Sequence, residues 1–259
     1  MNNLRIVSLA PSNTEIMFSL GLGSNVVGVT RFCDYPAEAK KITKTGGWID
    51  TEYGKIESLK PDLILTSTFL QEKTAETLSA KGFRVVHTDP KNLAEVYESI
   101  ITIGKACGKL EEAKSIVRKM MNDMDKIKEN SANRPKARVY CEEWHRPPTV
   151  SANWVPDIIE IAGGISMIKS GQISRETSLE EVAKFEPEII LVSLCGFGEK
   201  ADKKFILQRP GWENLEAVKN NKLIVLDDSL LNRPGPRLVD ATKLMRVLFN
   251  GCRTIQKTG

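Results

Sequence analysis

Four tryptophans and one tyrosine are the residues of this 259-residue chain whose types and surroundings point most directly to chemistry. Trp48 stands in GGWID, Trp144 in EEWHRPP, Trp154 in ANWVP and Trp212 in RPGWENL, while Tyr35 stands in CDYP. These segments are rich in Gly, Pro or Asn and read as loops or helix starts. Core aromatics fall more often inside strands and helices. Rings on loops at the ends of parallel strands face the crevice where α/β proteins hold ligands. Flat side chains give wide contact at small entropic cost, so the set suits a large, partly apolar, planar ligand. Singly, each ring serves as a loop anchor as readily as a ligand contact; together, the four favour a ligand.

Other polar residues surround this set. Arg31, Arg146 and Arg233 supply cations. His145, between Trp144 and Arg146, is the one side chain suited to touch a metal, although a solvent-exposed loop histidine is the plainer reading. Asn13 and Thr14, in PSNTE at a helix start, are ligand donors or helix caps. Catalysis has little support. There are two histidines, His87 and His145, and no GxSxG, HExxH or GxxxxGK[ST] motif. No catalytic residue, metal ligand set or intrinsic cofactor is assigned. The Gly pair in GLGSNVVG follows a helix and reads as its C-cap. CGFGEKA follows a strand and matches GxGxxA at Gly196, Gly198 and Ala201, which keeps a dinucleotide-dependent enzyme as a lesser alternative. Cys33, Cys107, Cys141, Cys195 and Cys252 are odd in number and far apart, against a disulfide framework or a zinc site.

The elements that must position these residues alternate strand and helix. LRIVSL, VVGV, LIL from Leu63 and RVVH from Arg84 read as strands, with helices near 15–20, 55–59 and 71–80. Helices follow over 93–107 and 111–128. The second half repeats the scheme with strands at 137–141, 189–193 and 223–226 and helices at 155–161, 179–184 and 238–249. KIESLKPDLILTS from Lys55 and EEVAKFEPEIILVS from Glu180 share one order: helix, spacer, Pro-acid, apolar strand ending in Ser. The offset is of domain size. The expected fold is therefore α/β: two Rossmann-like lobes, each with a parallel sheet, joined by one long α-helix, with a ligand cleft between them. The expected boundaries are 1–107 for the first lobe, 108–134 for the linker helix and 135–259 for the second lobe.

Lys+Arg of 37 against Asp+Glu of 33 gives a net charge of only +4, and the charged stretch 114–128 mixes both signs. Nucleic acid is thus an unexpected partner. No run of about 18 apolar residues occurs, so no membrane span is expected. Met1-Asn2-Asn3 leads straight into the first strand without a basic or apolar leader. That favours the cytoplasm, or an extracytoplasmic place if a leader was removed. A monomer is expected.

RIVSLAPSNTEIMFSLGLGSNVVGVT, DYP and IESLKPDLIL resemble the first lobe of the periplasmic-binding-protein family serving cobalamin, siderophore and haem ABC transporters. EEWHRPPTVSANWVPDIIEIAGG, PGWENLEAVKNNKLIVLDD and RPGPRLVDA resemble its second lobe, with the cobalamin-binding branch favoured by DYP, GGW, EEW and NWVP. The resemblance implies capture of a corrinoid such as cobalamin between the lobes, with siderophore or haem binding as the alternative, and an ABC-transporter permease as partner. It implies that Tyr35, Trp48, Trp144 and Trp154 flank the ligand, with Trp212 a further cleft position. Members that dock on a permease present a carboxylate on each lobe. The first-lobe position falls at Gly54 here, with Glu52 and Glu57 displaced from it, which leaves room for a soluble carrier or sensor.

Overall fold

In the computed structural model, residues 4–254 are described. They divide into two units: residues up to Pro90 together with Ala94–Lys119, and Lys91–Leu93 with the chain from Met120 onward. The first unit opens with β1 (Ile6–Ser8), α1 (Pro11–Ser19), β2 (Val26–Val29), α2 (Tyr53–Ser58), β3 (Leu63–Ser67), α3 (Glu72–Ala80), β4 (Val85–Thr88) and α4 (Leu93–Ala106). All four strands are parallel, in the order β2-β1-β3-β4. Every residue of β1 and β3 is buried. That is why LRIVSL and LILTS read as continuous apolar runs rather than alternating ones. α1 starts on Pro11, whose missing N–H costs nothing at the first helical position. It ends at Gly21 (φ +74°): the Gly21 N–H donates to Phe18 O (3.0 Å) and the Leu22 N–H to Met17 O (2.9 Å). This paired closure confirms GLG as a helix stop.

α5 (Leu110–Ala132) runs 23 residues and contains the division between the units. Its buried residues Met120, Met124, Ile127 and Ser131 fall on one face at intervals of three and four, and the charged residues take the rest.

The second unit contains β5 (Ala137–His145), β6 (Pro148–Val150), α6 (Val155–Ile161), β7 (Gly164–Ser166), β8 (Arg175–Glu176), α7 (Leu179–Phe185), β9 (Ile189–Val192), α8 (Lys204–Leu207), α9 (Glu216–Lys219), β10 (Leu223–Val225), α10 (Asp228–Leu231) and α11 (Leu238–Thr254). β10, β9, β5 and β7 are parallel, but β6 runs antiparallel to both β5 and β8. The sheet is therefore mixed, which corrects the expectation of a parallel sheet in each lobe. The stretch through Trp144 and His145 is strand rather than loop. β5 outruns its parallel neighbours and folds back on itself, pairing Trp144 with Thr149 and His145 with Pro148.

The sequence repeat has a shared physical basis. After α2, Lys60 turns with φ +46°; after α7, Glu186 turns with φ +50°. In the first lobe Asp62 Oδ2 accepts from the Arg5 N–H (2.8 Å), and the Asp62 N–H donates to Arg5 O (2.8 Å). In the second, Glu188 Oε2 accepts from the Arg138 N–H (3.0 Å), and the Glu188 N–H donates to Arg138 O (2.8 Å). The arginine side chains close the motif on backbone carbonyls, Arg5 on Leu59 O and Arg138 on Glu186 O. Pro-acid thus sets where β3 and β9 join β1 and β5.

Candidate functional site

The loops that leave the carboxyl ends of the first sheet carry an unusual concentration of exposed apolar side chains. Phe32 and Tyr35 follow β2, and Phe69 and Leu70 follow β3; all four are exposed, and Ile49, beside Trp48, is 74% exposed. Buried Gln71 holds this edge together. Its Nε2 donates to Leu9 O (2.7 Å) and Trp48 O (2.9 Å), and its Oε1 accepts from the Ser67 N–H (2.9 Å). The Trp48 loop is closed by the Gly46–Thr51 bridge. Glycine is required at Gly46, where φ is +107° and a Cβ would lie 2.3 Å from the backbone oxygen of Asp50; the Arg31–Asp50 ion pair crosses the loop beside it.

Four buried polar atoms joined by this loop and by Gln71 have no hydrogen-bond partner within the chain: Trp48 Nε1, Thr51 Oγ1, Ser67 Oγ and Thr68 Oγ1. Thr68 also adopts φ +64°. A buried unpartnered polar group is costly, so each of these atoms calls for a partner such as an ordered water or a bound group. The first lobe therefore carries a collar of exposed apolar side chains on the same strand-end segments as these neutral donors and acceptors. Asn13 is placed differently from expectation. It is 1% exposed, and its amide donates to Thr66 O (3.0 Å), bracing α1 against β3. Thr14 is likewise buried, on Ser8 Oγ and Ala10 O, and caps nothing. His87 Nδ1 lies 2.9 Å from Thr66 Oγ1.

In the second lobe Trp144 is exposed at the end of β5, with its Nε1 donating to Arg146 O (2.8 Å). Trp154 and Trp212 are 5% and 3% exposed. Trp154 Nε1 donates to Leu231 O (2.8 Å), and Trp212 packs on Tyr140 with ring centroids 5.8 Å apart. Both rings serve the core, so the loop tryptophans do not form one exposed set. Arg233 is half-buried at the end of α10. His145 stacks on Phe205 (4.5 Å, 27°) and meets Phe197 edge-on (5.3 Å, 87°). Burial, then the Arg146 and Arg209 charges, push its pKa down, so the imidazole is neutral at pH 7. Below it Arg209 forms a bidentate pair with fully buried Glu142 (2.6 and 2.7 Å) and donates to His145 O (2.9 Å). Glu142 also accepts from Tyr140 Oη (2.8 Å).

The Gly196 loop does not form a dinucleotide cradle. Asp228 Oδ2 accepts from the Gly196 N–H (2.8 Å) and Oδ1 from the Gly198 N–H (2.6 Å), so a carboxylate holds the groups a phosphate would need. Among the described residues no group of three or more His, Cys, Asp or Glu could hold a metal ion, and no helix is long and apolar enough to cross a membrane.

Comparison with known proteins fits this arrangement. The model of the periplasmic binding protein family matches residues 6–230. The chain belongs to that family of substrate-binding proteins. It is 32% identical over 255 residues to the uncharacterized ABC transporter substrate-binding lipoprotein YvrC of Bacillus subtilis, covering 92% of this chain and 77% of that protein. It is 28% identical over 237 residues to the vitamin B12-binding protein of Vibrio vulnificus, covering 90% and 85%. Among solved structures, the periplasmic haem-binding protein RhuT of Roseiflexus sp. RS-1 in apo form superposes with a TM-score of 0.83 at 25% identity, over 96% of this chain and 98% of that one. The two-lobed α/β fold and the substrate-binding role in ABC-type uptake are those of the family. The collar residues Phe32, Ile49, Phe69 and Leu70, and the Gln71 brace, were missed from sequence. Their signal was position: Phe69, Leu70 and Gln71 follow directly on the end of an apolar strand.

Proposed function

We propose that the protein captures a corrinoid of the cobalamin type. The observation that carries this reading is the first-lobe collar of exposed Phe32, Tyr35, Ile49, Phe69 and Leu70, on strand-end segments that also hold four neutral, unpartnered polar atoms. A corrin has an apolar face and an edge of amides, which such a surface complements. Haem and most siderophores carry carboxylates or a metal that call for a free cation or an anionic ligand. Arg31 of the first lobe pairs with Asp50, whereas exposed Arg146 of the second lobe is the observation that favours the haem or siderophore alternative. The similarity to vitamin B12-binding relatives points to the corrinoid. Delivery to an ABC-type permease belongs to this reading. Gly54 occupies the first-lobe docking position, and the flanking Glu52 and Glu57 pair with Lys55 (3.6 Å) and Lys81 (2.8 Å), so docking would use a contact other than a carboxylate there.

A titration of intrinsic tryptophan fluorescence tests the ligand. Cyanocobalamin should quench saturably with a sub-micromolar midpoint, about −8 kcal/mol or better, and a Trp48→Ala, Phe69→Ser double variant should weaken it at least about tenfold. Saturable binding of haemin or a ferric siderophore, with none of cyanocobalamin, would move the function to the alternative that the RhuT likeness represents.

A further inference from the structure

The second lobe has a cavity of its own, about 350 Å³, whose walls include His145, Arg146, Pro147, Pro148, Phe205 and Gln208. It lies beside Trp144 on the β5–β6 hairpin. Its polar groups are all able to donate. His145 Nδ1 is buried without a hydrogen-bond partner. Arg146 and Gln208 are exposed, and the structure gives neither side chain a partner within the chain. Arg209, also in the wall, is neutralised by Glu142, which leaves Arg146 as the uncompensated charge. No carboxylate lines the cavity. Phe205 fixes the imidazole by stacking, and the two prolines add apolar walls.

We infer that this cavity is a subsite for a phosphate ester, with Arg146 supplying the charge, His145 Nδ1–H and the Gln208 amide supplying neutral hydrogen bonds, and Phe205 and the prolines covering the sugar or ring the phosphate bears. A guanidinium fork beside neutral donors matches the oxyanion of a phosphate ester. On the corrinoid reading above, which supplies the phosphate's carrier but not the site itself, the occupant is the phosphodiester of the nucleotide tail. The second lobe would then select complete corrinoids over those that lack the tail.

Two measurements on the full chain separate the site from its carrier. With only two histidines in the sequence, the His145 imidazole proton resonance is assignable by its loss in His145→Gln. Phenyl phosphate should shift it saturably, acetate at equal concentration should not, and Arg146→Ala should weaken the phosphate effect about tenfold. No shift, an equal response to acetate, or an unchanged Arg146→Ala titration overturns the subsite. In the second measurement, cyanocobalamin should bind more tightly than dicyanocobinamide, which has the same ring but no nucleotide tail. Arg146→Ala should erase that preference by weakening cyanocobalamin alone. Equal weakening of both, or no preference in the unmodified chain, overturns the tail assignment. If neither corrinoid binds, the corrinoid reading fails and the phenyl phosphate titration still decides the site.

Discussion

The two lobes begin from the same device and end in different chemistry. Arg5 with Asp62 and Arg138 with Glu188 form matching latches at the base of each sheet, and Lys60 and Glu186 make matching left-handed turns before them. At the opposite ends of the strands the likeness stops. The first lobe organises its edge around a neutral amide, Gln71, and leaves hydroxyls and an indole N–H unpartnered among apolar side chains. The second lengthens β5 into a hairpin, anchors it with the buried Arg209–Glu142 pair and presents Trp144, His145 and Arg146. A duplicated scaffold thus keeps its packing rules where strands start and diversifies where they finish.

The contrast between a charged and a neutral anchor can be broken by unfolding measurements. Arg209→Ala strands Glu142, which is fully buried, and should cost about 3–5 kcal/mol in urea denaturation. Gln71→Ala removes three hydrogen bonds but leaves no buried charge, and should cost about 1–3 kcal/mol. Equal losses would mean that the second lobe's charge pair is relaxed by solvent and the two anchors are equivalent. The contrast between core and surface tryptophans is sharpened by Trp212→Ala against Trp144→Ala. The first should destabilise by about 3–5 kcal/mol, the second by no more than about 0.5 kcal/mol, and only the second should lower corrinoid affinity without unfolding the lobe.

A smaller effect separates the lobes by pH. Burial raises the Glu143 carboxyl above its usual range, with hydrogen bonds from Ser174 and Ser151 opposing the shift. The folded state therefore holds this proton more readily than the unfolded chain. Its contribution is fully present below the usual carboxylate pKa and is lost as pH rises through the folded value. Glu143→Gln should raise the Tm relative to the parent at pH 8, and the gain should vanish near pH 4. A gain independent of pH would assign the effect to packing instead.

Much of the scaffold was legible in the sequence because its signals are local. The Pro-acid repeat, the GLG stop and the long helix all rest on short-range rules, and each is where it was expected, whereas the short strands at 148–150, 164–166 and 175–176 were not foreseen. The hairpin at 144–150 was not legible, because Pro147-Pro148 reads as a break and conceals a strand that starts on its second proline. Trp154 and Trp212 were misplaced for a related reason. Lying in a loop or at a helix start does not determine where a ring points. The Trp212 ring is covered by Tyr140 on one side, with the Arg209 guanidinium 4.7 Å from its centroid. Asn13 reads in sequence as a ligand donor or a helix cap, but β3 supplies its acceptor from 53 residues away. Long-range partners of this kind leave no periodic trace in a single chain.

Arg209 grips the hairpin through the backbone oxygen of residue 145 and through Glu142, and makes no bond to the side chains at 145 or 146. The tip is therefore secured whatever the side chain at 146 is, whereas His145 also packs on Phe197 and Phe205. On the proposed subsite reading, position 146 works as a replaceable element of the hairpin, through which descendants of this chain could acquire new cargo by a single codon change without loss of that packing.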